Sequence, residues 1–428
     1  MEQQKRYRLL LNNYYIRRVY HNMRILLKWI IFAAISGIVV GSFSTLFAFC
    51  LHQVTAIRNE YEWIIYFLPL AGIVIVAMYS LFHYKNDKGT NLVLSSIHTS
   101  SETPFKVAPL IFAATLLTHL FGGSAGREGA ALQLGGSIGN QLGKVCRLKE
   151  EDKHILIMCG MSAAFSALFG TPMAAAIFSM EIVSVGVMYY AALVPCVMAS
   201  LIASRFAADM GIHPEHFQVM HVPDMNILTG AETILLGVLC AGLSVVFCIL
   251  LHKTGDIYRK YLKNPYVRVF VAGCLVVALT AILGTRDYLG AGTDLIEQAI
   301  QKEQASPAAF ALKMIFTAIT IEAGLKGGEI VPSFFVGATF GCVFGQVLGF
   351  SPSLCAAMGM IAVFCGVTNC PITSILISFE LFGFEAAPHL LLVVAISYAM
   401  SGYYGLYGDQ AIVYSKYKAK YINRHIRK

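Results

Sequence analysis

The stretch Gly122-Gly-Ser-Ala-Gly-Arg-Glu-Gly-Ala130 and its counterpart Gly327-Gly-Glu-Ile-Val-Pro332 decide the fold of this chain. Each stretch breaks one apolar helix and starts another, because glycines weaken a helix interior and Pro332 lies where a first helical turn tolerates proline. Backbone N–H groups and the positive end of the helix dipole gather at such starts. Two of them in one chain predict a site that holds an anion without a full cationic charge.

The two stretches belong to two related copies of one segment. Repeats of this kind are typical of transporters, whose substrate site lies near the bilayer midplane where interrupted helices of both copies meet. Duplication without a central site is the alternative, and the paired helix starts argue against it. The matching positions fall into three ordered blocks: Gly89 and Thr90 with Gly292 and Thr293; Gly126, Gly135 and Gly139 with Gly328, Gly337 and Gly341; and Gly160, Pro172 and Glu181 with Gly359, Pro371 and Glu380.

Composition places the chain in a membrane. Its residues are 57% hydrophobic and 13% charged, whereas a soluble domain carries about 25% charged residues. Residues 29–51 are the first stretch long enough to cross a bilayer, and several later apolar stretches are too short to cross alone. We therefore predict an all-α polytopic membrane protein with two related repeats of broken and tilted helices. We expect the repeats to be inverted, a point that depends on how many crossings separate them.

Basic residues concentrate at both ends of the chain. Residues 1–28 hold seven Lys and Arg against one acidic residue, and residues 415–428 hold six with no acidic residue. Lys and Arg beside membrane segments stay cytoplasmic, so we expect a plasma-membrane protein with both termini inside the cell. Basic ends also fit nucleic acid, but beside a polytopic core they more commonly meet anionic lipid headgroups, so no nucleic-acid partner is expected. The predicted organisation is a basic segment 1–28, a membrane domain 29–412 and a basic tail 413–428, with repeat 1 at about 85–200, a connector and two helices at about 201–287, and repeat 2 at about 288–400.

Glu128 is a carboxylate inside a membrane body, which is costly and marks a functional candidate. It lies in the first turn of a helix that faces the proposed anion site. Ionised, it would occupy the site in place of the anion; protonated, it would leave, so that anion passage is coupled to protons. The alternative is a glutamate that only complements the helix dipole.

Two other functions fit parts of the sequence less well. Glu128 and Glu329 could form the acid and base of a membrane-embedded enzyme, but no nucleophile, metal-ligand cluster or phosphate loop accompanies them. We therefore expect neither enzyme activity nor a cofactor. The polar connector 209–229 could bind a metal, although a solvated loop explains it better; its candidate ligands are His213, Glu215, His216 and His221.

The quoted residues resemble the CLC family of chloride channels and chloride/proton antiporters, across about residues 30–412. Gly126-Arg-Glu-Gly-Ala130 is similar to that family's GREGP, with Ala in place of Pro. Gly328-Glu-Ile-Val-Pro332 is similar to its GxFxP, Gly170-Thr-Pro-Met-Ala to its GxPxAG helix start, and Leu406-Tyr407 to the segment that bears its central tyrosine. The resemblance implies a homodimer in a lipid bilayer, in which each subunit carries its own pathway.

The resemblance also implies roles for individual residues. Glu128 would be the external gating glutamate, and Tyr407 would donate its hydroxyl to the anion from the cytoplasmic side. The family's GSGIP is replaced by Asp87-Lys-Gly-Thr-Asn-Leu92, so either Lys88 or Thr90 takes the place of its anion-binding serine. The chain stops soon after Tyr407, so we expect none of the paired C-terminal CBS modules of many eukaryotic relatives. The anion site expected on this basis comprises Lys88, Thr90, Gly126, Arg127, Glu128, Gly129, Gly328, Glu329, Ile330, Val331 and Tyr407.

Two departures from the family pattern concern the anion and the proton route. The fluoride-exporting branch similarly lacks GSGIP and carries Glu at the place of Glu329, although it usually has Thr where this chain has Val331. Ile182 takes the position of the internal proton-transfer glutamate, and Glu181 precedes it. We predict transport of a small monovalent anion by a channel or an anion/proton antiporter, with chloride as the first expectation and fluoride as the alternative. Glu128 and Glu329 are its expected gating and proton-coupling residues.

Overall fold

The structure is a computed structural model that describes residues 2–84, 87–98 and 103–426, with side chains described from residue 15 onward except at position 98. Sixteen α-helices and a small sheet make up this part of the chain. The first eight helices are α1 (Glu2–Glu60), α2 (Leu68–Leu81), α3 (Thr90–His98), α4 (Val107–Leu120), α5 (Glu128–Val145), α6 (Glu150–Phe169), α7 (Pro172–Glu181) and α8 (Leu193–Asp209). The other eight are α9 (Ile227–Tyr261), α10 (Pro265–Leu283), α11 (Thr293–Gln301), α12 (Ala309–Ala323), α13 (Ile330–Leu348), α14 (Pro352–Thr368), α15 (Pro371–Phe382) and α16 (Ala387–Met400).

The helices fall into long spanning helices and short interior ones, which confirms the predicted all-α membrane fold. A helix of 14 residues, such as α4 or α16, is about 21 Å long and cannot cross a hydrocarbon core of about 30 Å alone. Large apolar side chains such as Leu70, Val246 and Ile282 remain exposed on the spanning helices, as contact with lipid requires. Six described stretches are long and apolar enough to span: Tyr15–Glu60, Glu62–Leu81, Tyr190–Asp209, Ile227–Tyr261, Pro265–Leu283 and Ile330–Leu348.

The repeated glycines let the interior helices touch backbone to backbone. A Cβ added to Gly135 on α5 would lie 2.1 Å from the carbonyl oxygen of Gly160 on α6. In the second half, a Cβ added to Gly337 would lie 2.2 Å from the carbonyl oxygen of Gly359. No side chain fits at such distances, and small residues are what close packing between membrane helices uses. The glycine spacing is therefore a packing requirement that each half meets in the same way.

Each half of the molecule contains eight helices, so the repeats are wider than the sequence predicts. α1 packs on α4, α6 and α8, and α9 packs in the same way on α12, α14 and α16. The expected boundaries at about 85 and 288 are therefore too late: α9 and α10, which we placed between the repeats, are the counterparts of α1 and the α2 region. Glycines recur in these spanning helices as well: Gly37 on α1 packs on α8, and Gly237 on α9 packs in the same way on α16.

Reciprocal hydrogen bonds relate the two halves by an approximate two-fold axis. Gly126 and Gly328 each donate an N–H to the other's carbonyl oxygen, at 2.7 and 2.8 Å. Further from the axis, Glu181 accepts from the backbone N–H of Thr373 at the start of α15 (2.8 Å), while Glu380 accepts from the N–H of Ala174 at the start of α7 (2.9 Å). Such an exchange of equivalent contacts is the mark of two-fold symmetry.

The two-fold relation inverts one half relative to the other. α2 and α10 pack against each other with Gly72 beside Val269 and Gly273 beside Pro69. The two helices therefore run in opposite directions. Both helices belong to candidate membrane spans and occupy equivalent places in the two halves. Equivalent spans that cross the bilayer in opposite directions define inverted repeats, and this confirms the expected arrangement.

A three-stranded sheet, which the sequence pattern does not predict, closes the C-terminal end. Strands β1 (Ser184–Val185) and β2 (Ala411–Tyr414) are parallel, and β3 (Tyr421–His425) pairs antiparallel with β2. The predicted tail 413–428 is thus folded against the end of α7, at least as far as residue 426, rather than extending freely.

The predicted N-terminal boundary at residue 28 is not a break either, because α1 continues without interruption from Glu2 to Glu60. Lys28 on α1 forms an ion pair with Asp152 on α6, with 2.6 Å between Nζ and Oδ2. The side chains of Lys5, Arg6 and Arg8, and all of Arg427 and Lys428, lie outside the described residues.

Candidate functional site

Two helix starts face each other at the centre of the molecule. α5 begins at Glu128 after the N-cap residue Arg127, and α13 begins at Ile330 after Glu329. The bridge between Gly126 and Gly328 holds the two starts together. The first N–H groups of each helix have no acceptor within their own helix. The structure therefore brings two sets of free backbone donors and two positive dipole ends to one place.

Glycine is required where the two starts touch. A Cβ added to Gly328 would lie 2.5 Å from the backbone nitrogen of Gly129, and a Cβ on Gly129 would lie 2.9 Å from the Cα of Gly328. The same position on Gly129 is 3.3 Å from the Thr90 hydroxyl and 3.7 Å from a Glu329 carboxylate oxygen. Gly129 thus marks the point where backbone, hydroxyl and carboxylate from three segments converge.

Glu128 is fully buried and is held by its neighbour. The backbone N–H of Arg127 donates to Oε2 of Glu128 at 3.0 Å, and Nε of Arg127 donates to Oε1 at 3.3 Å. A further guanidinium nitrogen of Arg127 forms a short ion pair with Glu215 of the connector. Arg127 therefore does not point into the site as a free cation, and its charge is divided between two carboxylates.

The structure separates the two candidates for the serine position. Thr90 is buried at the start of α3, and its hydroxyl lies 3.4 Å from the carbonyl oxygen of Gly129 and 3.4 Å from the side-chain nitrogen of Gln133. The Lys88 side chain is 62% exposed and lies 3.9 Å from Asp409. Of the two, Thr90 lies beside the helix starts and Lys88 does not.

On the α13 side, a carboxylate and two buried apolar residues follow one another. No described side chain forms a hydrogen bond or ion pair with the Glu329 carboxylate. Lys326, three positions earlier, is instead paired with Asp87 at 2.7 Å. Ile330 and Val331 are buried, so what they can offer a ligand is the backbone N–H.

Tyr407 closes the site from the C-terminal segment. Its side chain is 2% exposed, and its hydroxyl has no hydrogen-bond partner among the described residues. The hydroxyl lies within Coulombic range of Glu329 and Glu128. A buried hydroxyl without a partner is costly unless a ligand or water accepts its proton. Its segment is fixed by a 2.9 Å hydrogen bond from the N–H of Leu406 to the carbonyl oxygen of Val367.

The end of α7 has no acid directed toward the site. Ile182 is buried, and the preceding Glu181 accepts hydrogen bonds from the start of α15, including one from the Thr373 hydroxyl at 2.6 Å. The carbonyl oxygen of Ile182 accepts a bond from the Gln410 side chain at 2.9 Å. Glu181 thus serves the packing of the two halves.

Gln133 and Glu215 are the site neighbours that the sequence analysis does not assign. Gln133 lies one turn after Gly129 on α5 and donates to the Gly129 carbonyl oxygen at 3.2 Å. Its spacing of four residues from Gly129 places it on the same face of the helix and could have predicted this position. The sequence indicates Glu215 only as a candidate metal ligand. The described residues contain no group of three or more side chains placed to hold a metal ion.

This geometry suits a small anion that exchanges with protons. Backbone N–H groups from two helix starts and two hydroxyls supply donors without an unpaired cation in contact, and such sites release an anion readily. The Glu128 carboxylate lies beside Gly126, and the Glu329 carboxylate lies beside Gly129. Each can compete with an anion when ionised and carry a proton when neutral.

Comparison with known proteins gives the chain its family. A family model described as voltage gated chloride channel matches residues 72–402, and the chain belongs to this family. A Pseudomonas syringae pv. tomato relative named "Chloride/fluoride channel protein" is 34% identical over 397 residues, which cover 91% of this chain and 88% of the relative. A Vibrio cholerae relative named as an H(+)/Cl(-) exchange transporter is 24% identical over 81% of this chain and 80% of its own.

Solved structures show the same fold. A CLC-type fluoride/proton antiporter superposes with a TM-score of 0.86 and 31% identity, over 90% of this chain and 98% of its own. A slow cyanobacterial Cl-/H+ antiporter superposes with a TM-score of 0.72 and 19% identity, over 88% of this chain and 94% of its own. At 19% identity the second likeness concerns the fold alone.

Proposed function

We propose that the protein is an antiporter that exchanges a small halide for protons across a cell membrane, and that fluoride is its preferred anion. The observation that carries the proposal is the Glu329 carboxylate beside Gly129, the residue that follows Glu128, with the Thr90 hydroxyl at the same point. Two carboxylates and a hydroxyl around backbone donors provide both proton carriers and anion ligands. The likeness to a protein named chloride/fluoride channel and to a fluoride/proton antiporter supports this choice.

Fluoride places a demand on the site that chloride does not. Removing its water shell costs far more, so a fluoride site needs additional donors close to the ion. A protonated Glu329 is such a donor, and it stands where an apolar residue would leave only backbone N–H groups. Chloride, which the sequence places first, remains the competing substrate that the experiment must include.

In the proposed cycle, Glu128 and the anion compete for the same donors. Ionised Glu128 occupies the starts of α5 and α13; after protonation it loses this attraction and lets the anion pass. Tyr407 donates its hydroxyl to the anion from the other side, and Thr90 from the α3 side. Glu329 takes over the proton, because Ile182 offers no carboxylate at the end of α7.

We further propose a plasma-membrane homodimer with both termini in the cytoplasm. The homodimer with one pathway in each subunit is what membership of the family implies. The Lys28–Asp152 ion pair puts the basic loop between α5 and α6 on the same side as the start of α1. A basic loop and a basic N-terminal segment on one face follow the positive-inside rule, and the same rule predicts a cytoplasmic position for the basic C-terminal tail. Cross-linking of the purified protein in detergent and in liposomes measures the oligomeric state.

The decisive experiment is efflux from liposomes loaded in parallel with fluoride or chloride, followed with halide and pH electrodes. We expect fluoride to leave faster than chloride and to drive protons inward against their gradient. Loss of the halide gradient without proton movement would show a channel and contradict antiport. Faster chloride than fluoride exchange would return chloride to first place. Vesicles without protein, and a fluoride-loaded set with a proton ionophore, control for leakage.

A further inference from the structure

The polar connector between the two halves, residues 210–226, is packed over both of them. Pro214 contacts Gly170 in the first half, where an added Cβ would lie 2.5 Å from the Pro214 Cα. In the second half, the N–H of Phe217 donates to the carbonyl oxygen of Leu381 at 2.9 Å. The N–H of Met220 donates to the Ser353 hydroxyl at 2.8 Å. The connector is therefore fixed in place, and its side chains have defined positions.

Glu215 lies on this fixed connector and reaches the gate. Its carboxylate forms a short ion pair with a terminal guanidinium nitrogen of Arg127, while Nε of the same guanidinium donates to Glu128 at 3.3 Å. The side chains of Arg127 and Glu215 are 23% and 26% exposed, and that of Glu128 is not exposed. One cation is thus shared between a carboxylate in the site and a carboxylate at its rim.

Sharing weakens the hold of Arg127 on Glu128. A guanidinium that is fully paired with Glu128 would stabilise its ionised form, whereas one that is turned partly toward Glu215 stabilises it less. The negative charge of Glu215 also repels an ionised Glu128. Both effects act in the same direction and favour the protonated gate.

We infer that Glu215 is a positioning residue that sets the pH at which the Glu128 gate opens, by drawing the Arg127 guanidinium away from it. The inference rests on the proposed proton-coupled transport. Three other titratable groups lie near the pair: Glu329, whose carboxylate lies beside Gly129; Tyr407, which acts on Glu128 from the C-terminal segment; and His119 on α4, which is near Arg127. Removal of Glu215 changes the division of the Arg127 charge and removes one negative charge that acts on Glu128, and both changes favour the ionised gate.

The test is the pH dependence of halide efflux for Glu215→Gln, in liposomes between pH 5 and pH 8. Without the rim carboxylate, Arg127 pairs with Glu128 alone, and a lower pH is needed to protonate the gate. We expect the midpoint of the pH profile to move about one pH unit toward acid, with rates restored at the lowest pH. Asp224→Asn is the matched control, because it removes one negative charge from an exposed position of the same connector.

Two further variants distinguish positioning from a structural role. In a Glu128→Gln background, Glu215→Gln should cause no additional shift, because the carboxylate that it acts on is gone. Glu215→Asp keeps the charge but lengthens the contact, so a smaller acid shift is expected even if the amide variant fails to fold. An unchanged midpoint in a folded Glu215→Gln protein, or the same shift without Glu128, overturns the inference. Absence of halide transport in the wild-type protein would instead contradict the proposed function.

Discussion

The starts of α5 and α13 share one backbone arrangement but carry opposite charges at the N-cap position. Arg127 and Glu329 are the equivalent N-cap residues, and Glu128 and Ile330 are the equivalent first helical residues. On α5 the acid is fixed by the neighbouring guanidinium. On α13 the acid has no such partner among the described residues, because the nearby Lys326 is paired with Asp87.

The difference separates what duplication supplies from what it does not. The shared backbone supplies N–H donors and positive dipole ends from both halves, so each half offers the same kind of backbone donors to the proposed anion. Side chains break this equivalence: one half pairs its carboxylate with a guanidinium, and the other leaves it without a cationic partner among the described residues. In the proposed antiport, directional coupling of anions to protons would therefore depend on a few side chains around a symmetric frame.

Glu128→Gln should have the largest effect, because it removes the one acid that is fixed at the α5 start. We expect halide-driven proton movement in liposomes to fall at least about 100-fold, the usual scale for loss of a positioned proton-transfer group. Glu151→Gln, on the exposed first turn of α6, is the control for loss of a negative charge. Normal proton coupling in Glu128→Gln would remove this residue from its assigned role.

Glu329→Ile should have the next largest effect, because it makes the α13 start apolar. We expect the ratio of fluoride to chloride efflux to fall about tenfold, which corresponds to loss of one hydrogen bond to a desolvated ion. Efflux from separately loaded liposomes measures the ratio, with Glu297→Gln on the exposed face of α11 as control. Equal slowing of both halides would contradict a part for Glu329 in selectivity.

Thr90→Val should have a smaller effect that distinguishes it from Lys88→Gln. The Thr90 hydroxyl lies at Gly129, so its loss should weaken halide binding by roughly fivefold, about 1 kcal/mol. Lys88 is exposed and lies away from the helix starts, so the halide affinity of Lys88→Gln should stay within about twofold of that of the wild type. Calorimetric titration of the purified protein with fluoride and chloride measures both. The reverse order would place the ammonium, and not the hydroxyl, at the site.

Features that constrain the backbone could be predicted from the sequence. Glycine is required at the helix starts and at the α5–α6 and α13–α14 contacts, so Gly126, Gly135 and their mates had to recur in both halves. The juxtaposition of the two helix starts and the position of the buried Glu128 at the start of α5 followed from these glycines and from the cost of a buried carboxylate. At each of these positions a local requirement, either close backbone contact or the cost of burying a carboxylate, restricts the residue type.

Features that depend on distant contacts could not be predicted. The Arg127–Glu215 ion pair joins residues 88 positions apart and leaves no periodic pattern. The choice between Lys88 and Thr90 depends on which residue the fold of α3 turns toward Gly129. The parallel pairing of β1 with β2 joins segments of a few residues that are too short for an alternation to be recognised.

Lys416 lies between strands β2 and β3 of the C-terminal sheet, so replacing it tests how the sheet is held. Its ammonium lies over the Tyr398 ring and donates to the Ser401 hydroxyl at 3.0 Å. Burial lowers the pKa of Lys416 from its ordinary value of 10.5 to about 8. Below pH 8 both the folded and the unfolded chain carry the proton, and the cost of the buried charge is present in full.

Between pH 8 and 10.5 the unfolded chain binds more protons than the folded one, so this residue makes stability rise with pH and level off above 10.5. Lys416→Met keeps the length of the side chain and removes the charge. Relative to this variant, the unfolding temperature of the wild-type protein in detergent should rise by roughly 2–4 °C between pH 7.5 and pH 10. Lys418→Met, at an exposed position, is the control. Parallel pH curves for wild type and Lys416→Met would mean that the ammonium is hydrated and that the sheet is held by its strand pairing alone.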